Sequence, residues 1–410
     1  MLTILAIEFM KNRISIHLSS IVFLILLLLQ GCKKEEIEIT GIDILPKRVQ
    51  LNVDSSASLH VIFYPEGTYD RVEWSSTNPY VANIDETGTI KALKLGKSII
   101  KATVQGFTKE CSVDVLPHIY SSGDYAIMDG EKELKRVDVK TIVRADEFHN
   151  IYMASAVSTA PMRLSFRVQK GDLLYTLYEG DANSWMTAFE CYDSNLYTAI
   201  DVWDNYQTFN RHSRLYKNGT LYHLFSESHK DICLRTVCAN GSDIYSGGYI
   251  YDGRSHAAVW KNKELLYTLY NTSDGCWVKS IAVEGSDVYS LVQTSDKGGQ
   301  FLVYKNDQLI FNTSIYSSST NIIVNGGRVY LVLGTNKNAD IIVDGSVVKS
   351  LTIPKSSGDS NLSLYEASLC GDDLYILGTC YKSPRIWQNG NLLYTLPATC
   401  TNHQYISVVP

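Results

Sequence analysis

The chain has 410 residues, of which 45% are hydrophobic and 20% charged, a balance that excludes both a polytopic membrane protein and a disordered chain. Its formal charge of −6 excludes nucleic acid as the main partner, because phosphate binding needs clustered cations. Tyr is over-used, with 27 against 11 Phe and 6 Met; it favours half-buried strands, so the fold class expected is all-β, and the length predicts two or three domains.

The first 31 residues read as a secretory signal. Lys11 and Arg13 precede an apolar run, Ile21 to Leu29, which is too short to span a hydrocarbon core of about 30 Å as a helix. Leu29-Gln30-Gly31-Cys32 resembles the lipobox of bacterial lipoproteins, with Gln30 a departure from the usual small residue. That resemblance implies removal of residues 1–31 and a lipid-modified Cys32 anchoring the protein to a membrane. Residues 32–38, with Lys33-Lys34-Glu35-Glu36, resemble the charged tether of Bacteroidetes surface lipoproteins. No Asp follows Cys32, so the expected address is the outer membrane, exposed on the cell surface.

Residues 39–117 read as short alternating strands, such as Ser58 to Phe63 and Ser98 to Val104, separated by turns such as Glu86-Thr87-Gly88. That spacing predicts a small β-sandwich. Trp74-Ser75-Ser76-Thr77-Asn78-Pro79, then Val81-Ala82-Asn83-Ile84-Asp85 and Gly88-Thr89-Ile90, resemble the group 2 bacterial immunoglobulin-like domain. The resemblance implies a spacer, with Trp74 in the core. Gly96-Lys97-Ser98 ends like a phosphate-binding loop, but Lys91 stands where the first Gly is needed and a β-branched strand follows.

From residue 118 to 410 two signatures alternate. One is a strand bearing Tyr, at Tyr152, Tyr197, Tyr245, Tyr289, Tyr330 and Tyr375, spaced by 45, 48, 44, 41 and 45 residues. The other is a tight hairpin, as in Tyr216-Lys217-Asn218-Gly219, Trp260-Lys261-Asn262-Lys263 and Trp387-Gln388-Asn389-Gly390, where Asn and Gly supply positive φ. A period near 44 with about four strands per unit predicts a β-propeller. Six units are complete. The segment after His118 supplies three strands of a seventh, and Tyr405 to Val409 the missing one, so the ring should close by pairing of the chain ends.

Tight turns should share one face of such a ring and irregular connections the other, which is where a rigid scaffold tends to carry binding. The longest irregular stretch, Asp201 to His212, offers Asp201, Trp203, Tyr206, Arg211 and His212. The next unit offers Asp252, Arg254 and His256. Trp185 and Trp277 each stand twelve residues before their unit's Tyr. Aromatic faces beside Asp, Asn and Arg suit sugar rings; plugging the central channel is the competing role for these Trp. Trp260 and Trp387, at the repeated hairpin position, should be packing residues.

The common motifs of zinc hydrolases, serine esterases and dithiol enzymes are missing, and no spacing demands a metal or any cofactor. One stretch, Thr294 to Phe301, is similar to the Asp box of sialidases but departs at Gln300 and occurs once. Of the cysteines, Cys233 and Cys238 should point to opposite faces of one strand, while Cys380 and Cys400 are the candidate disulfide. The sequence therefore favours binding over catalysis, with a glycan or a cell-surface protein as ligand. The alternatives are a propeller glycoside hydrolase or polysaccharide lyase using Asp201, Asp204 or Asp252, and a structural or assembly subunit of a surface complex.

Overall fold

A computed structural model of the chain describes residues 38–123, 126–137, 141–146, 148–160, 163–181, 184–203, 211–295, 299–313, 316, 318–335, 337–351, 362–380, 383–397 and 403–410. Among these every regular element is a strand. The chain divides into two compact units between Leu116 and Pro117.

In the first unit, Arg48–Asn52, Phe107–Leu116, Gly96–Val104 and Glu73–Ser76 form a four-stranded sheet, in that order. Ser56–Ser58, Thr89–Ala92 and Ala82–Ile84 form a second. Alternation along these strands sends Ile90, Ala92, Ile100, Ala102, Cys111 and Val113 into one buried core. Trp74 is half-buried and packs against it. Gly88 has a φ of +81°, and a Cβ there would stand 2.8 Å from the Trp74 ring, so the turn can hold only glycine. Gly96-Lys97-Ser98 opens the strand Gly96–Val104 and leads into no helix, which leaves no phosphate loop.

The second unit contains, among the described residues, seven sheets of antiparallel strands. Sheet 1 is His118–Ser122, Ala126–Asp129 and Lys132–Arg136, with Tyr405–Val409 added beside His118–Ser122 in the register His118 to Val409. Sheet 2 runs from Thr141 to Asp181, sheet 3 from Trp185 to Phe225, sheet 4 from Asp231 to Thr272 and sheet 5 from Cys276 to Thr313. Sheet 6 runs from Ser318 to Ser350 and sheet 7 from Leu362 to Thr395. First strands of successive sheets are neighbours, and Tyr405–Val409 touches the first strands of both sheet 2 and sheet 7.

The repeated hairpin does more than turn the chain. Asn218, Asn262, Asn306 and Asn389 have φ between 49° and 57°. Each side-chain oxygen accepts the N–H of the residue before the repeat Tyr: Leu196, Ile244, Val288 and Leu374, at 2.8 to 3.0 Å. Asp344 does the same for Val329 at 2.8 Å. The preceding Lys217, Lys261 and Lys305 lie 5.5 Å from the rings of Tyr197, Tyr245 and Tyr289. Trp260 and Trp387 are buried. The signature thus unites a packing residue, a cation over the Tyr ring and an amide that ties the turn to the second strand.

Candidate ligand-binding face

The second and third strands of sheet 3 run further than the sequence implied. Asn195–Trp203 pairs with Arg211–Lys217 so that Trp203 faces Arg211 and Asp201 faces Ser213; Trp185, on the first strand, pairs with Asp201. Residues two apart share a sheet face, so Trp203, Arg211 and their neighbours meet on one side. The Arg211 guanidinium lies 3.8 Å from the Trp203 ring centroid and 5.6 Å from that of Trp185. The two indoles meet edge to face at 6.0 Å. Trp185 remains 47% exposed, so its ring is an open apolar surface with a cation over one face.

Arg211 is fixed from two directions. Its backbone N–H donates to Asp231 Oδ1 at 2.8 Å, and its Nη1 donates to the Tyr249 hydroxyl at 2.9 Å. Its Nε is buried without a hydrogen-bond partner among the described residues. Arg235 lies over the other part of this bridge, 5.7 Å from the Tyr249 ring.

Two residues expected on the open face are beneath it. Asp201 is 2% exposed and accepts from the Ser213 hydroxyl. Burial pushes its carboxyl up to about 6, against the hydrogen bonds from Ser213 and Cys233 and the charges of Arg235 and Arg211. His212 is 5% exposed, because its side chain alternates away from Arg211. Asp252 and His256 do meet, Nε2 to Oδ1 at 2.9 Å, and that bond holds the Asp252 carboxyl below its ordinary value. Arg254 beside them is exposed. Tyr206, Asp204 and Cys400 lie outside the described residues. Cys380 is buried at the end of its strand, while Cys233 and Cys238 both carry free thiols.

The first strands of sheets 3, 4, 5 and 7 each carry one extra residue where the register shifts: Thr187, Arg235, Lys279 and Tyr365. A bulge re-aims a side chain, and all four line one cavity of about 590 Å³ that also takes in Trp277, Asn321 and Tyr405. Lys279 Nζ donates to the Ser319 carbonyl and hydroxyl, each at 2.7 Å. Burial brings its ammonium down to about 8. Arg144, Glu190 and Glu366 share the cavity. Arg144 Nη2 lies 2.6 Å from Glu366 Oε1, and its Nε 3.4 Å from Glu190 Oε2. Burial would lower the Arg144 guanidinium, but the two carboxylates outweigh it and raise it.

The bacterial Ig-like domain (group 2) family matches residues 38–114. Those residues are a group 2 bacterial Ig-like domain. No curated protein sequence matches the chain. Among solved structures, a functionally unknown protein from Desulfotomaculum acetoxidans is similar at 11% identity and a TM-score of 0.44, covering 71% of this chain and 99% of that one. A prolyl endopeptidase is similar at 14% identity and a TM-score of 0.41, covering 78% of this chain and 49% of that one. A fungal lectin from Aleuria aurantia, described as a six-bladed β-propeller that recognises fucose, is similar at 11% identity and a TM-score of 0.36, covering 63% and 95%.

The Ig-like domain holds none of the candidate site residues. Sequence reading overlooked the cavity's charged residues, although a signal was present. Thr187, Arg235, Lys279 and Tyr365 each stand ten residues before Tyr197, Tyr245, Tyr289 and Tyr375, two residues after the position that drew attention to Trp185 and Trp277.

Proposed function

We propose that residues 117–410 form a seven-bladed β-propeller, closed by Tyr405–Val409, that binds a glycan on its irregular face. The protein is held at the outer membrane by a lipid on Cys32 and faces outward, with the Ig-like domain as spacer. The seven repeated sheets, the chain-end pairing and the contacts of Tyr405–Val409 with sheets 2 and 7 support the ring. One observation carries the ligand class: Trp185, half-exposed, with Arg211 packed against it and Trp203. An indole face takes the CH face of a sugar ring, and a guanidinium beside it takes ring hydroxyls. Such a fixed aromatic surface costs little entropy to order on binding.

The test is a glycan-array screen of the full-length protein in detergent micelles, with reducing-end release assayed on every hit. Saturable binding without release, weakened tenfold or more by Trp185→Ala at unchanged thermal stability, is the expected result. Binding indifferent to Trp185→Ala moves the site elsewhere. Release of reducing ends replaces the binding reading with the hydrolase one, and silence across the array leaves a cell-surface protein as the ligand.

A further inference from the structure

We propose that the glycan taken here is acidic, its sugar carboxylate seated between Arg235 and Lys279 with the ring against Trp277. The inference rests on the glycan-binding reading above and narrows it to a uronate-bearing oligosaccharide. The argument begins with repeat geometry. Arg235 and Lys279 are the extra residues of the same bulge on the first strands of sheets 4 and 5, which are neighbours. Both side chains, and Trp277, line one cavity.

Neither cation has a carboxylate within ion-pair distance among the described residues. Lys279 rests on the neutral oxygens of Ser319, and Arg235 on the Tyr249 ring. The carboxylates within the cavity, Glu190 and Glu366, are engaged by Arg144, and Glu366 Oε2 also accepts the Ile406 N–H at 2.8 Å. An ammonium withdrawn from water without a counter-ion is costly to the fold. A ligand carboxylate supplies that counter-ion, and the planar guanidinium fork of Arg matches it with two parallel hydrogen bonds. A neutral sugar would cover the same cations and leave them unpaired, which is a penalty against it.

The cationic strip continues outward. Tyr249 joins Arg235 to Arg211, whose buried Nε has no acceptor among the described residues, and Arg211 leads to Trp185. Cation and indole therefore occur twice, Lys279 and Arg235 with Trp277, then Arg211 with Trp185. That repetition fits an oligomer carrying acid groups on more than one residue better than a single terminal acid.

Calorimetric titration of the full-length protein in detergent micelles tests this, with oligomers of galacturonate, guluronate and glucuronate as probes, each beside its carboxyl-reduced counterpart. At least one acidic series should bind, and carboxyl reduction should weaken it tenfold or more. Arg235→Met and Lys279→Met should each weaken it similarly, and rising salt should weaken it progressively. The exposed Arg235 site makes its variant safe for folding, and Arg235→Lys should restore part of the loss. Binding that is indifferent to carboxyl reduction, or that survives both substitutions, overturns the acidic-ligand inference while glycan binding stands. So does binding of neutral glycans that depends on Trp185 while every acidic series is ignored. Failure of all glycans, neutral and acidic, overturns both readings.

Discussion

Asn262 and Ile244, eighteen residues apart, exchange two hydrogen bonds: the Ile244 N–H donates to Asn262 Oδ1 at 3.0 Å, and the Asn262 N–H donates to the Ile244 carbonyl. The bond joins the turn after the third strand to the start of the second, so a local turn residue also sets long-range register. Asn262 Nδ2 extends it by donating to Asp243 Oδ1 at 3.1 Å.

Asn262→Gly isolates that second role, since glycine keeps the positive φ of 57° but has no side chain. Leaving the Ile244 N–H without its acceptor should cost about 1–2 kcal/mol, seen as a lowered midpoint in scanning calorimetry. Asp344→Asn should be close to neutral, because Asp344 already fills this place as acceptor for Val329. A neutral Asn262→Gly would mean that turn conformation alone explains the repeat.

The hairpin illustrates what was legible in the sequence. Period, strand number and the apolar positions follow from local alternation, so Trp260 and Trp387 could be placed as packing residues from the pattern alone. The candidate site was only partly legible. Trp185 and Arg211 stand 26 residues apart in the chain and meet because strand pairing carries both beyond the point where the pattern looked like a loop. Asp201 was read as a surface carboxylate because nothing in the sequence shows that Ser213, to which it is bonded, would be joined to Ile232 and Leu234 of the next sheet and bury it. Lys279 and Arg235 escaped notice because a bulge breaks the two-residue period used to assign faces.

Asp201 makes stability depend on pH in an unusual direction. Burial raises its carboxyl from an ordinary 3.8 to about 6, so between those values the folded state holds a proton that the unfolded state has released. Stability should therefore fall as pH rises from 4 through 6 and then level off, by about 2–3 kcal/mol at most. Urea unfolding of wild type and Asp201→Asn at pH 4, 5, 6 and 7 isolates this part of the profile. The variant should lack that decline, and two parallel profiles would show that Asp201 titrates at its ordinary value.

Lipidation at Cys32 is testable without any ligand. Cells fed a radiolabelled fatty acid should transfer label to the wild-type chain and not to Cys32→Ala. The wild type should sediment with outer membranes, and protease added to intact cells should digest it. Label retained in Cys32→Ala would place the anchor elsewhere, and protection from protease in intact cells but not in lysed ones would turn the protein toward the periplasm.

The C-terminal strand Tyr405–Val409 pairs with His118–Ser122, and Glu366 is one group that ties it to sheet 7. Its Oε2 accepts the Ile406 N–H at 2.8 Å while its Oε1 pairs with Arg144 at 2.6 Å, so one carboxylate serves sheets 1, 2 and 7 together. The pair is largely screened from water, with 12% and 16% of the two side chains exposed. Removing Glu366 leaves Arg144 to Glu190 alone, at 3.4 Å, and the Ile406 N–H without its acceptor, which together cost about 1–3 kcal/mol. Glu366→Ala should therefore lower stability by an amount near this, and hydrogen exchange should show Tyr405–Val409 losing protection before any other strand. Glu366→Gln keeps an acceptor for Ile406 and should preserve most of that protection while still weakening the hold on Arg144. If exchange at residues 405–409 is equally fast in wild type, the strand is not latched and the ring is open in solution. If Glu366→Ala loosens every sheet alike, Glu366 supports the core as a whole rather than the closure.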